Sequence, residues 1–116
     1  MSLYWNNRFD EMNKKYFGGK LPKIQVTVES LPGAYGLYYS AEEGSEARIV
    51  LDNSTTINQR LNVLLHEMCH HAADLEDPNA MHHHGKTWRK WMKTCGFRGK
   101  IHCRTALRRF DNRRRK

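Results

Sequence analysis

Two histidines and a glutamate lie within five consecutive residues near the middle of the chain, in the order His66, Glu67, Met68, Cys69, His70. On an α-helix, residues four apart lie on one face, so both imidazoles can reach one tetrahedral metal ion. Glu67 lies about 100° round the helix, beside the coordination position that a catalytic zinc leaves open for water. These residue types at this spacing predict a Zn²⁺ site with the chemistry of a metallohydrolase.

A catalytic zinc needs a third protein ligand. A glutamate on a following helix is excluded, because no acidic residue occurs between Asp77 and Asp111. A histidine six residues after the second ligand is excluded as well, since that position is Glu76. The remaining candidates are three adjacent histidines just before the last predicted helix, and spacing alone does not choose among them: His82, His83 and His84.

A long central helix must carry the metal motif. Thr56 and Gln59 have the spacing of a capping box, which predicts the start of this helix. The acidic residues 74–77 and Pro78 end it. Its large apolar residues fall on one side, so the helix is expected to pack into the core with Cys69 as a small core residue. These apolar residues are Ile57, Leu61, Leu64, Leu65, Met68 and Ala72.

Two other helices are predicted from apolar residues at helical spacing. One covers residues 3–17 and ends at Gly18 and Gly19. The other opens at Gly85 and ends at Gly96. The first carries Trp5, Phe9, Met12 and Tyr16 on its apolar side, and the second carries Trp88, Trp91, Met92 and Cys95.

Three β-prone runs, at residues 24–28, 35–40 and 47–51, lie between the first helix and the central helix. They predict a small sheet of three strands. The fold class is therefore α+β, with an N-terminal helix, a three-stranded sheet, the central helix that carries the motif and a closing helix. A chain of 116 residues fits one domain, assigned to residues 1–97, and a basic tail at 98–116.

The net charge of +8 is concentrated at the C-terminus. Residues 79–116 carry thirteen basic side chains against one acidic side chain, which predicts contact with a polyanion such as DNA. The tail offers no apolar face for a membrane surface. The tail residues predicted to bind nucleic acid are Arg104, Arg108, Arg109, Arg113, Arg114, Arg115 and Lys116.

No apolar run is long enough for a membrane span, and the N-terminus does not have the pattern of a secretory signal. Three widely spaced cysteines do not suit a disulfide framework, which favours a reducing compartment. We expect a monomer that is cytoplasmic or nucleoid-associated, not secreted, and has no membrane partner.

Four blocks of sequence, at residues 13–22, 48–51, 64–70 and 84–88, resemble the SprT-like domain family. This family includes the Spartan-type proteases, which remove proteins crosslinked to DNA. The resemblance covers roughly residues 3–97 and keeps the four blocks in order. It implies a zinc metallopeptidase of the minimal gluzincin type, a hydrolase with a role in DNA repair.

The resemblance also implies individual roles. The third zinc ligand of the family falls on His84, beside His66 and His70. Glu67 is then the general base that takes a proton from zinc-bound water, which attacks the peptide bond. Two departures from the family pattern are present: His71 stands where an alanine usually follows the second ligand, and the C-terminal zinc ribbon of many relatives is missing. The arginine-rich tail is expected to contact DNA in place of the ribbon.

The favoured function is therefore a zinc-dependent endopeptidase that acts on DNA-bound or DNA-crosslinked proteins. The alternative is a non-catalytic nucleic-acid-binding module with a structural zinc site. Three histidine ligands without a thiolate argue against the alternative, because structural zinc sites are usually rich in cysteine. His82 and His83 are expected to be solvated loop residues; the alternative is that they hydrogen-bond substrate or stabilise the oxyanion. Asp74 is expected to be a solvated carboxylate at the end of the central helix; the alternative is that it accepts a hydrogen bond from a ligand imidazole.

Overall fold

The computed structural model describes residues 2–41, 46–77 and 85–96. Within them the α+β fold class is confirmed, and each predicted strand agrees to within one residue at either end. His82, His83, His84 and the basic tail lie outside the described residues. The six elements are α1 (Leu3–Phe17), β1 (Gln25–Glu29), β2 (Gly36–Tyr39), β3 (Arg48–Asp52), α2 (Ile57–Glu76) and α3 (Lys86–Thr94).

The three strands form one mixed sheet in the order β1-β3-β2. β3 is central: it runs parallel to β1, with Val26 opposite Ile49, and antiparallel to β2, with Leu37 opposite Val50. Residues 49–52 of β3 are all buried, as expected for a strand covered on both faces. α2 packs on β2 and β3, and α1 packs on β1. The two helices also contact each other, because Arg60 of α2 lies over the Trp5 ring and His71 of α2 lies beside Phe9, so the sheet does not separate them.

Two asparagines attach α1 to the chain that follows it. The side chain of Asn6 accepts from the backbone N–H of Val26 at 3.1 Å and donates to the Val26 carbonyl at 2.8 Å. Asn13 makes the same pair of bonds to Leu21, at 3.1 and 2.9 Å. Gly18 ends the helix with φ at 63°, the left-handed conformation that glycine adopts without a steric penalty. These bonds satisfy buried backbone groups of β1 and of the residues that lead into it, on the side where the described residues place no neighbouring strand.

α2 begins at the predicted capping box. The Thr56 hydroxyl accepts from the Gln59 backbone N–H, and the Gln59 side chain accepts from the Thr56 N–H. Residues 63–72 are buried without interruption, so the middle of α2 is surrounded by protein on all sides. Among the helices that the structure describes, none has both the length and the apolar character needed to cross a bilayer.

α3 closes the core against α2, with Trp88 and Met92 buried. Its outer edge is held by Glu76 near the end of α2, which accepts from Lys90 Nζ at 2.5 Å and from Trp91 Nε1 at 3.0 Å. The Trp91 ring packs on Phe17 of α1, with ring centroids 5.3 Å apart. α3 is therefore fixed to both other helices, which gives Trp88 a defined place beside α2.

The end of β3 is organised by a buried carboxylate. Asp52 accepts from the Leu31 backbone N–H at 2.8 Å and from the Ser54 hydroxyl and backbone N–H. Burial by itself would raise the pKa of Asp52, but these hydrogen bonds, with a contribution from the charge of Arg60, outweigh it and lower the pKa below its ordinary value. The loop after β1 and the turn before α2 are thus tied to the same strand end.

Candidate metal centre

The middle of α2 places the three motif residues at the centre of the molecule. His66 is 1% exposed, Glu67 is 0% exposed and His70 is 3% exposed. The imidazole ring centroids of His66 and His70 are 5.2 Å apart. The helical spacing therefore brings the two rings side by side, as the sequence predicts, with the glutamate on the same turn.

One aromatic side chain from α3 covers both imidazoles. The Trp88 ring stacks on His70, with centroids 5.2 Å apart and an interplanar angle of 21°. It meets His66 edge to face at 5.1 Å. Such contacts restrict ring rotation, so Trp88 fixes the orientation in which the two imidazoles are presented. The sequence predicted Trp88 as a core residue of its helix and did not predict this contact.

The Glu67 carboxylate lies in an apolar setting. Neither of its oxygens is within hydrogen-bond distance of a donor in the described part of the chain. Burial raises the pKa of Glu67 well above its ordinary value, because the charged form loses its hydration. A fully buried carboxylate in this state is costly as a structural element, which marks it as a residue kept for chemistry.

This donor set fits part of a zinc site. Neutral imidazoles are ordinary zinc ligands, and a carboxylate one residue after the first histidine is the usual companion of a hydrolytic zinc. Residues 2–41, 46–77 and 85–96 contain no group of three potential metal-binding side chains, since they supply two of the three predicted ligands. The third, His84, is outside the described residues and stays a prediction.

The chain matches the SprT-like family over residues 5–107. It belongs to the SprT-like family. Members of this family are generally zinc metallopeptidases and are typically zinc-dependent. A comparison with curated proteins and a comparison with solved structures found no match. The matched range includes His84 and also residues 98–107, the first part of the predicted basic tail.

In this SprT-like domain, the unusual His71 has a defined structural contact. It is buried; its Nε2 lies 3.1 Å from the Pro22 carbonyl and its Nδ1 3.4 Å from the Tyr38 hydroxyl. The single hydrogen of the Tyr38 hydroxyl is donated to Asp74 Oδ2 at 3.0 Å, so the hydroxyl does not donate to His71 Nδ1 as well. Burial lowers the pKa of His71, so the neutral ring is favoured. His71 therefore bridges α2, β2 and the loop before β1.

This network corrects the expectation for Asp74 and adds Tyr38 to the surroundings of the site. Asp74 is half-buried and accepts a hydrogen bond from a strand residue, whereas the sequence predicted a solvated helix end. The only signal in the sequence was the spacing of Asp74 four residues after His70, on the ligand face. That spacing suggested a ligand imidazole as a possible donor to Asp74, whereas the donor in the structure is the Tyr38 hydroxyl.

Two cysteine thiols contact each other next to the metal motif. The Cys69 thiol is fully buried and donates to Cys95 Sγ at 3.7 Å. This confirms that Cys69 is a core residue of this SprT-like domain. Burial raises the pKa of the Cys69 thiol well above its ordinary value, which keeps it protonated. The contact joins α2 to the end of α3, close to the helical turn that carries His70.

The outer face of α3 is basic. Four side chains on it are exposed, and helical geometry places them within an arc of about 100°. α3 contains no acidic residue, although one of the four, Lys90, pairs with Glu76 on α2. The four are Lys86, Arg89, Lys90 and Lys93. The SprT-like domain thus has a basic helical face on the described part of the chain, in addition to the predicted tail residues outside it.

Proposed function

We propose that this protein is a zinc-dependent endopeptidase that hydrolyses proteins bound or crosslinked to DNA. The observation that carries the proposal is the Glu67 carboxylate, which is fully buried and has no hydrogen-bond donor among the described residues. It lies on the same helical turn as two adjacent imidazoles. A structural zinc site needs no such carboxylate, whereas peptide hydrolysis needs a base beside the attacking water.

His66, His70 and His84 would hold the metal. When bound, zinc supplies Lewis-acid polarisation of the substrate carbonyl and makes water more acidic. Glu67 accepts the proton of the attacking water and then delivers it to the amine that leaves. Burial favours this role, because a carboxylate whose pKa is raised is a stronger base. Trp88 holds both imidazoles and keeps water away from their covered side.

The substrate peptide would lie along β2. β2 is an edge strand of the sheet, and the described residues place no further strand on its outer side. Its first residue, Gly36, lies against α2 next to Glu67. An extended peptide can add to such an edge through main-chain hydrogen bonds, which recognise a backbone without requiring a particular sequence. This mode suits an enzyme that acts on varied proteins.

DNA would bind the basic face of α3 and the predicted tail residues. Lysines and arginines on one face neutralise phosphates and release counterions, which gives salt-dependent affinity without base recognition. Replacing Lys86, Arg89 and Lys93 by glutamine should weaken binding of a DNA duplex and lower the salt slope by about 2 to 3.

A matched control removes the same charge from a different helix and its C-terminal end. The exposed lysines Lys14, Lys15 and Lys20 lie on and just after α1. Their triple replacement by glutamine should leave the salt slope near that of the original protein. Equal losses in the two triple variants would show that overall charge, rather than the α3 face, determines binding.

Proteolysis is tested with zinc-loaded protein and a DNA-binding protein as substrate, with and without DNA, and with a chelator. We expect cleavage that the chelator abolishes. Glu67→Gln should abolish turnover while the zinc content stays at one ion per chain, because the carboxylate is not a ligand. A fully active Glu67→Gln variant would refute the role of the base. Absence of cleavage under every condition would favour a nucleic-acid-binding module with a structural zinc.

A further inference from the structure

The first residue of β2 approaches α2 more closely than any side chain would allow. Gly36 is buried and faces Val63 and Glu67, which are one turn apart on α2. A Cβ atom built on Gly36 would lie 2.4 Å from Val63 Cγ1, 3.3 Å from Glu67 Oε2 and 3.4 Å from Glu67 Cγ. The first distance is a steric overlap, the second is tighter than ordinary van der Waals contact, and the third is at the short limit of such contact.

Backbone conformation does not explain this glycine. Gly18, Gly19 and Gly96 have positive φ angles, where a side chain is strained, and at most one distant side-chain atom surrounds the place of their Cβ. Gly36 is not among the glycines with positive φ, and it pairs with Leu51 as a regular strand residue. The requirement at Gly36 is therefore space, and the space is shared between a core valine and the buried carboxylate.

We infer that Gly36 is a positioning residue for the proposed general base, because its missing side chain leaves the room in which the Glu67 carboxylate rests against β2. The inference rests on the proposed function. Glu67 has no donor among the described residues to hold its carboxylate, so packing against β2 limits where the group can lie. A methyl group at position 36 would displace the carboxylate away from the strand edge along which the substrate is proposed to lie.

The test must separate this role from simple crowding of the core. Gly36→Ala alone is expected to be strongly destabilised, because the methyl group overlaps Val63 Cγ1. Val63→Ala removes that atom, so the double variant Gly36→Ala, Val63→Ala folds and keeps only the contact with Glu67. Val63→Ala alone is the matched control.

The first measurement is steady-state cleavage of a peptide by the zinc-loaded variants. Relative to Val63→Ala, we expect the double variant to lose about 10- to 100-fold in kcat, because misplacing a reacting group by about 1 Å costs this much. KM and zinc content should stay near the values of the control, since the change affects neither the strand edge nor the imidazoles. Recovery of kcat to the level of Val63→Ala would overturn the inference.

The second measurement needs no activity. Thermal unfolding is measured on four metal-free variants, all of which carry Val63→Ala. They combine glycine or alanine at position 36 with glutamate or alanine at position 67. We expect the loss in unfolding midpoint caused by Gly36→Ala to fall by at least about half once the Glu67 side chain is removed, because residues in contact are energetically coupled. The same loss in both backgrounds would overturn the inference. If no variant cleaves peptides but this coupling is present, the contact stands and the proposed endopeptidase function fails.

Discussion

Replacing Trp88 by alanine should affect both the stability of the protein and its affinity for zinc. The Trp88 side chain is 2% exposed and contacts both imidazoles. A buried aromatic side chain of this kind covers about 150–250 Å², which corresponds to about 4–6 kcal/mol at 25 cal/mol per Å². Core replacements of tryptophan by alanine cost about 3–5 kcal/mol, so we expect a loss in that range.

The effect on zinc is the more specific part of this prediction. Without the Trp88 ring, the imidazoles of His66 and His70 rotate more freely. Metal binding must then supply the free energy needed to order them, which weakens the affinity. Groups that orient metal ligands typically contribute 10- to 100-fold in affinity, and we expect about 10-fold or more here. Trp88→Phe retains a ring of the same kind and should lose less in both measurements.

Trp91 provides the control on the same helix. It is half-buried, packs on Phe17 and bonds to Glu76. Unfolding in urea, followed by circular dichroism, gives the stability of each variant, and competition with a chromophoric chelator gives the zinc affinity. Trp91→Ala should lose stability without a comparable loss in zinc affinity. Equal zinc affinities in Trp88→Ala and Trp91→Ala would refute the reasoning that Trp88 orients the imidazoles.

Further expected outcomes concern acid stability, the contact between α1 and β1, and metal removal. Because the pKa of Asp52 is lowered in the folded protein, its carboxylate stabilises the fold fully at a pH above its pKa in the unfolded chain, and this stabilisation is lost as the pH falls through the folded pKa. Between about pH 5 and about pH 2, Asp52→Asn should therefore lose less stability than the original protein, as measured by thermal unfolding. Asn6→Ala leaves the buried N–H and carbonyl of Val26 without their bonds and should cost about 2–4 kcal/mol in urea unfolding, whereas Asn7→Ala at the exposed neighbouring position should change stability by less than about 0.5 kcal/mol. Zinc at about 100 times its Kd should stabilise the protein by about 2.7 kcal/mol over chelator-treated protein, and His66→Ala, but not Glu67→Gln, should remove this effect.

Element type and element bounds could be predicted from the sequence because they depend on local patterns. The capping residues Thr56 and Gln59 predict the start of α2, and the structure forms both of their hydrogen bonds. Gly18 predicts the end of α1, which it terminates in the left-handed conformation. In each case the physical cause acts within a few residues, so a single sequence contains all of it.

The order of the strands could not be predicted in the same way. Alternation shows which face of a strand is buried, but it does not show which strand lies next to it. The parallel pairing of β1 with β3, and the antiparallel pairing of β2 with β3, depend on contacts between distant segments. Asn6 and Asn13 offered one unused signal: they lie seven residues apart on the buried side of α1, where polar side chains need partners.

The same distinction between local and long-range causes applies to the candidate site. Helical geometry alone brings His66 and His70 together and places Glu67 beside them. Trp88 of α3 and Gly36 of β2 contact this turn, and His71 beside it contacts the loop before β1 and β2. These contacts join distant segments, and no local spacing predicts them.

The buried carboxylate gives these surrounding contacts a common explanation. A buried Glu67 that finds no donor in the described part of the chain lowers the stability of the fold, and local patterning would favour an apolar residue at its position. The position can be maintained because other contacts stabilise the fold. The capping box begins α2, Asn6 and Asn13 hold α1 to β1 and to the residues that lead into it, and His71 joins α2 to β2. A rigid frame of this kind keeps the carboxylate from turning outward to water, which is the cheapest way for the chain to relieve the cost of burying it. The same frame leaves a base that is already in place and weakly solvated when a substrate arrives, so the structural cost at Glu67 and the proposed reactivity of the site have one physical origin.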